Sequence, residues 1–269
     1  DGRIVHHEAH GEADIDTKRD VKKDTMFWIA SMTKPITATA VLMLQDEGKL
    51  SVGAPASKYI PQFKHVKLKS GDAPARPVTI RDLLTHTSGV SGPGKLEGNP
   101  TLAQIAESIA QQPLQFEPGS KWKYGSGLTV CGRIVEIVSG MSFEDFLATR
   151  IFKPLGMKDT TFYPDASQRK RFATLYQPGK DGRPFEPAVA WFVSFDPEVR
   201  RAPNPSGGLA STAADMYRFY QMIVNGGELD GKRIVSAEAV KQMTTIHTGD
   251  LTTGFTPGNG WGLGWCVVR

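Results

Sequence analysis

The chain has 269 residues, 39% of them hydrophobic and 22% charged, which is the balance of an ordinary globular protein. Its 32 basic residues only slightly exceed its 28 acidic ones and are scattered along the sequence, so the composition argues against a nucleic-acid partner. No apolar run approaches the roughly 18 residues that a membrane span requires.

Strands are predicted near the start of the chain, where short apolar segments flank polar turns at residues 4–5, 14–16 and 26–29. A helix is predicted next, because apolar residues recur at helical spacing from Ile36 to Leu44 and Gly48 follows as a stop. Residues 49–78 are rich in Gly, Pro and Lys and are predicted to form a loop.

Helix patterns dominate the middle of the chain. Further helices are predicted over residues 80–84, 102–109, 128–138, 143–151, 216–224 and 237–243. Ser142, Thr212 and Ser236 are the expected N-caps, and Gly140 is an expected helix stop. Residues 153–208 are predicted to be mostly loop, and the segment 261–268 resembles a strand.

Strands at both chain ends with helices between them predict an α+β fold, with an antiparallel sheet built from both ends and flanked by helices. We expect a sheet region formed by residues 1–60 and 205–269, and an inserted, mostly helical and loop region formed by residues 61–204. Because the strand pattern continues up to Arg269, we expect the sheet region to be incomplete at its C-terminal end.

The cysteines and histidines give weak signals. Cys131 and Cys266 are predicted to be two buried thiols, although a single disulfide stays possible. His6 and His10 would share one face of a strand, where a solvated strand end is favoured over an adventitious metal site. No zinc-binding spacing occurs in the chain.

A Ser-x-x-Lys pattern occurs three times, at 31/34, 120/123 and 167/170. On a helix this spacing places both side chains on one face, where an amine can reach a hydroxyl. Only Ser31 and Lys34 follow an apolar strand pattern and open an apolar helix, with Pro35 fixing the helix start. A serine there could be an activated nucleophile, or merely a cap beside a solvated lysine.

A tyrosine supplies a second candidate group. Tyr124 follows the Pro118-Gly119 turn and precedes small residues. A phenol close to cations loses its proton more readily than its ordinary pKa of about 10 suggests, so Tyr124 could act as a general base. The alternative is a tyrosine packed against its own loop.

With these motifs the sequence resembles the serine β-lactamase and penicillin-binding-protein superfamily, in the branch of class C β-lactamases, D-Ala-D-Ala carboxypeptidases and related carboxylesterases. Residues 31–34 resemble its S-x-x-K motif, and residues 124–126 resemble its Y-x-N motif with Ser126 in place of Asn. Further stretches typical of that branch are residues 80–89, 151–157 and 207–212.

The resemblance implies a β-lactamase/DD-peptidase-like fold and a role for each matching residue. Ser31 would be the acylated nucleophile, Lys34 would assist its deprotonation, and Tyr124 would be the general base. Ser126 would stand near the lysine and the substrate. The third motif, K-T-G or its H-x-G and W-x-G variants, should follow a stretch like residues 261–265. No K-T-G occurs in the chain, and we expect the third motif beyond Arg269.

The resemblance therefore implies a serine acyl-hydrolase acting on a small ester, a β-lactam or a peptidoglycan-like D-alanyl peptide. Such an enzyme is expected to need neither a metal nor an organic cofactor. Alternatives are a class C β-lactamase proper, or an inactive binding or scaffold member of the fold. His86 is expected to be a hydrogen-bonded structural histidine. Trp122, Trp191 and Phe192 are expected either to line a cleft or to pack in the core. Compartment and oligomeric state are not predicted.

Overall fold

The computed structural model describes residues 2–179, 184–188, 200–254 and 257–268. The α-helices in these ranges are α1 (Thr33–Asp46), α2 (Ile80–Leu84), α3 (Leu102–Gln111), α4 (Gly127–Ser139), α5 (Phe143–Leu147), α6 (Lys153–Leu155), α7 (Ala166–Arg169), α8 (Ala213–Val224) and α9 (Ala237–Thr244). The strands are β1 (Glu12–Asp14), β2 (Arg19–Asp20), β3 (Phe27–Trp28), β4 (Tyr176–Pro178), β5 (Phe185–Pro187), β6 (Ala210–Ser211), β7 (Glu228–Leu229), β8 (Lys232–Arg233), β9 (Gly260–Trp261) and β10 (Cys266–Val267). The fold is mixed α+β, as predicted.

The strands pair in five antiparallel couples within the described ranges. The pair β3–β6 joins the N-terminal and C-terminal parts of the chain, with Phe27 opposite Ser211 and Trp28 opposite Ala210. The backbone N–H of Ile29 extends this contact by donating to the carbonyl of Leu209 over 3.0 Å. This pairing fixes the residues just before α1 against a segment that lies far away in sequence. The division of the chain into the two predicted regions stays a prediction.

The first helix is buried on nearly all sides. Its residues from Ile36 to Leu44 are fully or almost fully inaccessible to solvent, and even Lys34 is only 4% exposed. A helix that is apolar all round belongs in a core rather than at a surface. Helices α4 and α9 pack against it, and so the start of α1 is held in a rigid environment.

Two glycines of α4 permit close packing. A Cβ on Gly127 would overlap with the carbonyl of Leu83 in α2, and a Cβ on Gly132 would overlap with the ring of Pro205. Only glycine lets a helix backbone approach its neighbours this closely. The helix α4 is thereby drawn tight against the segment that precedes β6.

The predicted N-caps are present. The side-chain oxygens of Ser142, Thr212 and Ser236 each accept a backbone N–H three residues later, which satisfies one of the free donors of a helix start. Gly140 adopts the left-handed conformation expected of a helix stop.

One predicted helix is interrupted. After α5, residues Ala148–Phe152 form a π turn before α6 begins. The interruption lies next to Pro154, whose missing N–H and bulky ring disturb the hydrogen-bonding ladder of the preceding turn. The sequence pattern predicted one continuous segment here and did not predict the wider turn.

The prediction of two buried thiols is half wrong. Cys131 in α4 is fully buried, whereas Cys266 in β10 is exposed, and the two are not bonded to each other. Cys266 belongs to a short edge strand, where alternate side chains face solvent. No helix among the described residues is both long enough and apolar enough to cross a membrane.

Candidate active site

Ser31 lies at the junction of a strand and a helix. It is exposed, and it sits in a 3-10 turn, Ala30–Met32, that follows β3 and leads into α1. The preceding Ala30 has a φ of +43°, a left-handed conformation that costs energy for a residue with a Cβ. Such strain persists where the surrounding structure enforces it, and it often marks functional positions.

Two further side chains converge on the Ser31 hydroxyl. Lys34 Nζ donates to Ser31 Oγ over 3.1 Å, and the Tyr124 hydroxyl donates to the same oxygen over 2.7 Å. Lys34 Nζ also lies 4.4 Å from the centroid of the Tyr124 ring. The structure therefore brings together the three residues that the sequence analysis singled out as catalytic.

Lys34 is held in place without a negative partner. Its Nζ donates to the carbonyl oxygen of Ser206 over 2.6 Å, and no carboxylate forms an ion pair with it among the described residues. Burial therefore lowers its pKa from 10.5 to about 8, because the charged form loses hydration. An appreciable fraction of the amine is neutral near pH 8 and is able to accept a proton.

The prediction of a phenol with a lowered pKa is wrong. Burial raises the pKa of Tyr124 above 10, and the hydrogen bond to Ser31 opposes this effect only in part. The nearby Lys34 does not reverse the shift, since desolvation penalises the charged phenolate. In this geometry the phenol is protonated near neutral pH and acts as a hydrogen-bond donor.

The carbonyl that binds Lys34 belongs to a turn that the sequence analysis missed. Asn204 Oδ1 accepts the N–H of Ser206, and the Asn204 carbonyl accepts the N–H groups of Gly207 and Gly208. Thr129 of α4 and Ser206 share a hydrogen bond of 2.8 Å between their hydroxyls. The Asn-Pro-Ser-Gly-Gly composition signals a turn, but nothing local indicates that it meets Lys34.

Ser126 lies at the N-cap of α4, two residues after Tyr124, and is half buried. Its hydroxyl makes no hydrogen bond to Lys34 or to another side chain within the described ranges. Ser126 is thus close to Tyr124 in sequence, and no hydrogen bond joins it to Lys34 in the described part of the chain. Its expected contact with a substrate stays a prediction.

The other Ser-x-x-Lys pairs do not form comparable clusters. The Ser120 hydroxyl donates to the Glu117 carbonyl over 2.7 Å, while Lys123 pairs with Gln115. Ser167 lies in the short surface helix α7 with Lys170 just after it. Trp191 and Phe192, the candidates for a cleft wall, lie outside the described residues.

His86 is buried and hydrogen-bonded, as expected for a structural residue. Its Nδ1 accepts the backbone N–H of Gly125 over 3.2 Å. The rings of Trp122, Tyr124 and Trp261 surround it, with centroids 4.4 to 6.0 Å away. An aromatic cluster thus supports the side of the site that carries Tyr124.

One group of side chains away from this cluster has metal-ligand character. The ligand atoms of His6, Glu8 and His10 lie within 4.8 Å of one another, and all three residues are exposed. They belong to a segment without regular secondary structure, not to the predicted strand. Exposed groups of this kind are solvated, and the geometry does not connect them with Ser31.

The fold and this serine cluster together define a protein of the β-lactamase and penicillin-binding-protein superfamily. The family model described as Beta-lactamase matches residues 1–269, and the chain belongs to that family. Family membership and the named relatives support a serine hydrolase-like function.

Relatives carry names from two branches. The chain is 33% identical to penicillin-binding protein 4 of Amycolatopsis lactamdurans, covering 98% of this chain and 68% of the relative. It is 32% identical to esterase EstB of Burkholderia gladioli, over 98% of this chain and 72% of that relative. Among solved structures, an octameric penicillin-binding protein homologue of Pyrococcus abyssi matches with a TM-score of 0.77 and 26% identity, over 99% of this chain and 58% of that one.

Proposed function

We propose that this chain is a serine acyl-hydrolase that forms an acyl-enzyme on Ser31 and then transfers the acyl group to water. The observation that carries the proposal is the convergence of Lys34 and Tyr124 on the Ser31 hydroxyl. A serine hydroxyl is a poor nucleophile by itself, and a base within hydrogen-bond reach is what activates it. Lys34 meets that requirement.

The proposed acylation step uses Lys34 as the base. In its neutral form Lys34 accepts the Ser31 proton while Ser31 Oγ forms a bond to the substrate carbonyl carbon. The bond from that carbon to the leaving oxygen or nitrogen then breaks, and Tyr124, protonated because burial raises its pKa, donates a proton to the leaving atom. The proton held by Lys34 returns to the Tyr124 phenolate and restores the site. Deacylation runs the same transfers in reverse. Tyr124 gives its proton to Lys34 and accepts one from the attacking water, whose oxygen forms a bond to the acyl carbon. The bond from that carbon to Ser31 Oγ then breaks, Lys34 returns a proton to Oγ, and the acid is released.

The backbone around Ser31 suits the charge that develops on the carbonyl oxygen. The first N–H groups of a helical segment have no acceptor within the helix, and Ser31 is the second residue of its 3-10 turn. A backbone donor at a helix start stabilises an oxyanion electrostatically. We assign one oxyanion contact to the Ser31 N–H.

The substrate is proposed to be a carbonyl compound: a small ester, a β-lactam or a peptidoglycan-like D-alanyl peptide. Relatives named as an esterase and as a penicillin-binding protein support this range. Ser126 stands where many members of the superfamily have Asn, and a hydroxyl cannot reproduce the paired contacts of a side-chain amide. This difference favours ester substrates over β-lactams.

A substrate panel tests the proposal. p-Nitrophenyl esters, nitrocefin and a D-Ala-D-Ala peptide are each incubated with the wild type and with Ser31→Ala. We expect ester turnover in the wild type and none above background in Ser31→Ala. The matched control is Ser120→Ala, which removes the serine of a second Ser-x-x-Lys pair and is expected to keep full activity. Turnover that survives in Ser31→Ala contradicts the proposal, and no turnover of any substrate favours a binding protein.

A further inference from the structure

His86 occupies an unusual backbone position close to Tyr124. It follows α2, has a φ of +60° and is only 2% exposed. Positive φ is uncommon for a residue with a Cβ, and it is best tolerated by Gly and Asn. The conformation makes the His86 carbonyl and the His86 side chain approach the same neighbouring segment.

Both chain neighbours of Tyr124 are bonded to His86. The N–H of Lys123 donates to the His86 carbonyl over 2.9 Å, and the N–H of Gly125 donates to His86 Nδ1 over 3.2 Å. Between these two bonds, the imidazole lies against the phenol ring, with centroids 4.4 Å apart and an interplanar angle of 32°. One residue thus restrains the backbone on either side of Tyr124 and also contacts its ring.

The contact with Gly125 requires a neutral imidazole. Nδ1 accepts a hydrogen bond, so the ring proton must reside on Nε2. An imidazolium would present a second donor to the Gly125 N–H and would break the contact. Burial, assisted by the charge of Lys34, lowers the His86 pKa to about 3, which keeps the ring neutral at ordinary pH.

We propose that His86 is a positioning residue that fixes the Tyr124 hydroxyl on Ser31 Oγ through its Nδ1 contact with the Gly125 N–H. His86 hydrogen-bonds neither Ser31 nor Lys34 among the described residues, so it acts through Tyr124. The inference rests on the proposed function, because it assumes that Tyr124 takes part in proton transfer. A small displacement of such a group costs rate without removing the group itself.

A matched pair of variants isolates the Nδ1 contact. His86→Asn keeps an acceptor near the position of Nδ1, and His86→Gly removes it. Both residues tolerate a positive φ, so the backbone strain is comparable in the two variants. If His86→Gly does not fold, His86→Gln serves instead, because it fills similar space but places its amide at the Nε2 end of the ring.

The measurement is the acylation rate constant with a p-nitrophenyl ester, together with the substrate dissociation constant and the unfolding transition. We expect His86→Gly to slow acylation by roughly 10- to 100-fold, with little change in the substrate dissociation constant. This loss is smaller than the loss expected on removing the proton-transfer group itself, because Tyr124 stays present but is less well positioned. His86→Asn should restore the rate to within about 3-fold of the wild type. Met222→Ala, a cavity variant in the buried face of α8, controls for lost stability and should keep its rate.

A double-variant comparison completes the test. In a Tyr124→Phe background we expect His86→Gly to slow acylation by less than about 2-fold, because coupled residues have non-additive effects. The inference is overturned if His86→Asn is as slow as His86→Gly, if Met222→Ala loses as much rate, or if the His86 effect persists unchanged in Tyr124→Phe. Wild-type rates in Tyr124→Phe or Ser31→Ala would instead overturn the proposed function.

Discussion

At the scale of single residues, the environment of the amine distinguishes Ser31 and Lys34 from the other Ser-x-x-Lys pairs. Lys34 is almost fully buried and bonded to a carbonyl, whereas Lys123 and Lys170 are exposed. A buried amine without a carboxylate partner loses hydration and becomes a usable base near neutral pH. Chemistry at this site therefore depends on where Lys34 is packed as much as on its spacing from Ser31.

The pH dependence of acylation follows from the pKa of Lys34. Because this amine accepts a proton only when neutral, kcat/KM should rise about tenfold per pH unit below pH 8 and level off above it. A series of kcat/KM measurements at increasing pH with a p-nitrophenyl ester, corrected for the spontaneous hydrolysis of the ester, measures this rise. Lys34→Arg keeps a positive charge but cannot lose it, so it should be inactive throughout. Substantial activity in Lys34→Arg would show that only the charge matters.

Burial of Lys34 should also cost stability. Its folded-state pKa of about 8 lies below the ordinary 10.5, so the unfolded chain binds more protons between these values and stability rises with pH across that window. Below pH 8 the full cost applies, about 3 kcal/mol from the size of the shift. We expect Lys34→Met to be inactive but more stable at pH 7 by about 1–3 kcal/mol in urea unfolding. A destabilised Lys34→Met would contradict this account.

The three candidate catalytic residues could be selected from sequence because each belongs to a short motif in a suitable context. The pKa of Tyr124 could not be predicted, because burial decides it and burial depends on the whole fold. The contact between Lys34 and Ser206 was also missed. It joins residues 172 positions apart, and no local pattern encodes such a contact.

At the scale of elements, helix α4 links the site to the core. Its N-terminus follows Tyr124 and Ser126, its Thr129 contacts Ser206, and its Gly132 packs on Pro205. Helix caps and stops were predictable here, since capping is a local interaction between neighbours in sequence. The close approach of α4 to the turn at 204–208 was not predictable. Glycines in a helix pattern do not indicate which other segment will pack against them.

A substitution in α4 tests this packing. Gly132→Ala should destabilise the protein by about 1–3 kcal/mol. The added methyl overlaps with Pro205, and the cost of this overlap exceeds the gain in helix propensity. Activity should fall as well, since the displaced turn carries the carbonyl that holds Lys34. Gly53→Ala, at an uncrowded position with ordinary backbone, is the matched control and should change stability by less than about 0.5 kcal/mol. Equal stability of the two variants in urea unfolding would refute the packing argument.

At the scale of the whole molecule, the site depends on pairing between distant parts of the chain. Strand β3 lies just before Ser31 and pairs with β6, just after the turn that holds Lys34. The sequence predicted an antiparallel arrangement of strands from both ends, because strand patterns lie outside the helical middle. The register of each pair was beyond sequence reasoning, since side-chain packing across the pair decides it.

The thiols offer a whole-molecule test of the burial pattern. Cys131 is fully buried and burial raises its pKa strongly, whereas Cys266 is exposed. A thiol reagent such as DTNB should therefore label one cysteine in the native protein and two after denaturation. The variant Cys266→Ser should leave no rapidly reacting thiol. Rapid labelling of both cysteines in the native protein would contradict the described core.

Mass spectrometry of a trapped acyl-enzyme tests the central claim most directly. The protein is mixed with benzylpenicillin or a p-nitrophenyl ester, quenched in acid and digested, and the modified peptide is sequenced. The account predicts one adduct of the acyl mass, on Ser31, that is absent in Ser31→Ala and fails to accumulate in Lys34→Arg. An adduct on any other residue, or equal labelling of Ser31→Ala, would contradict it.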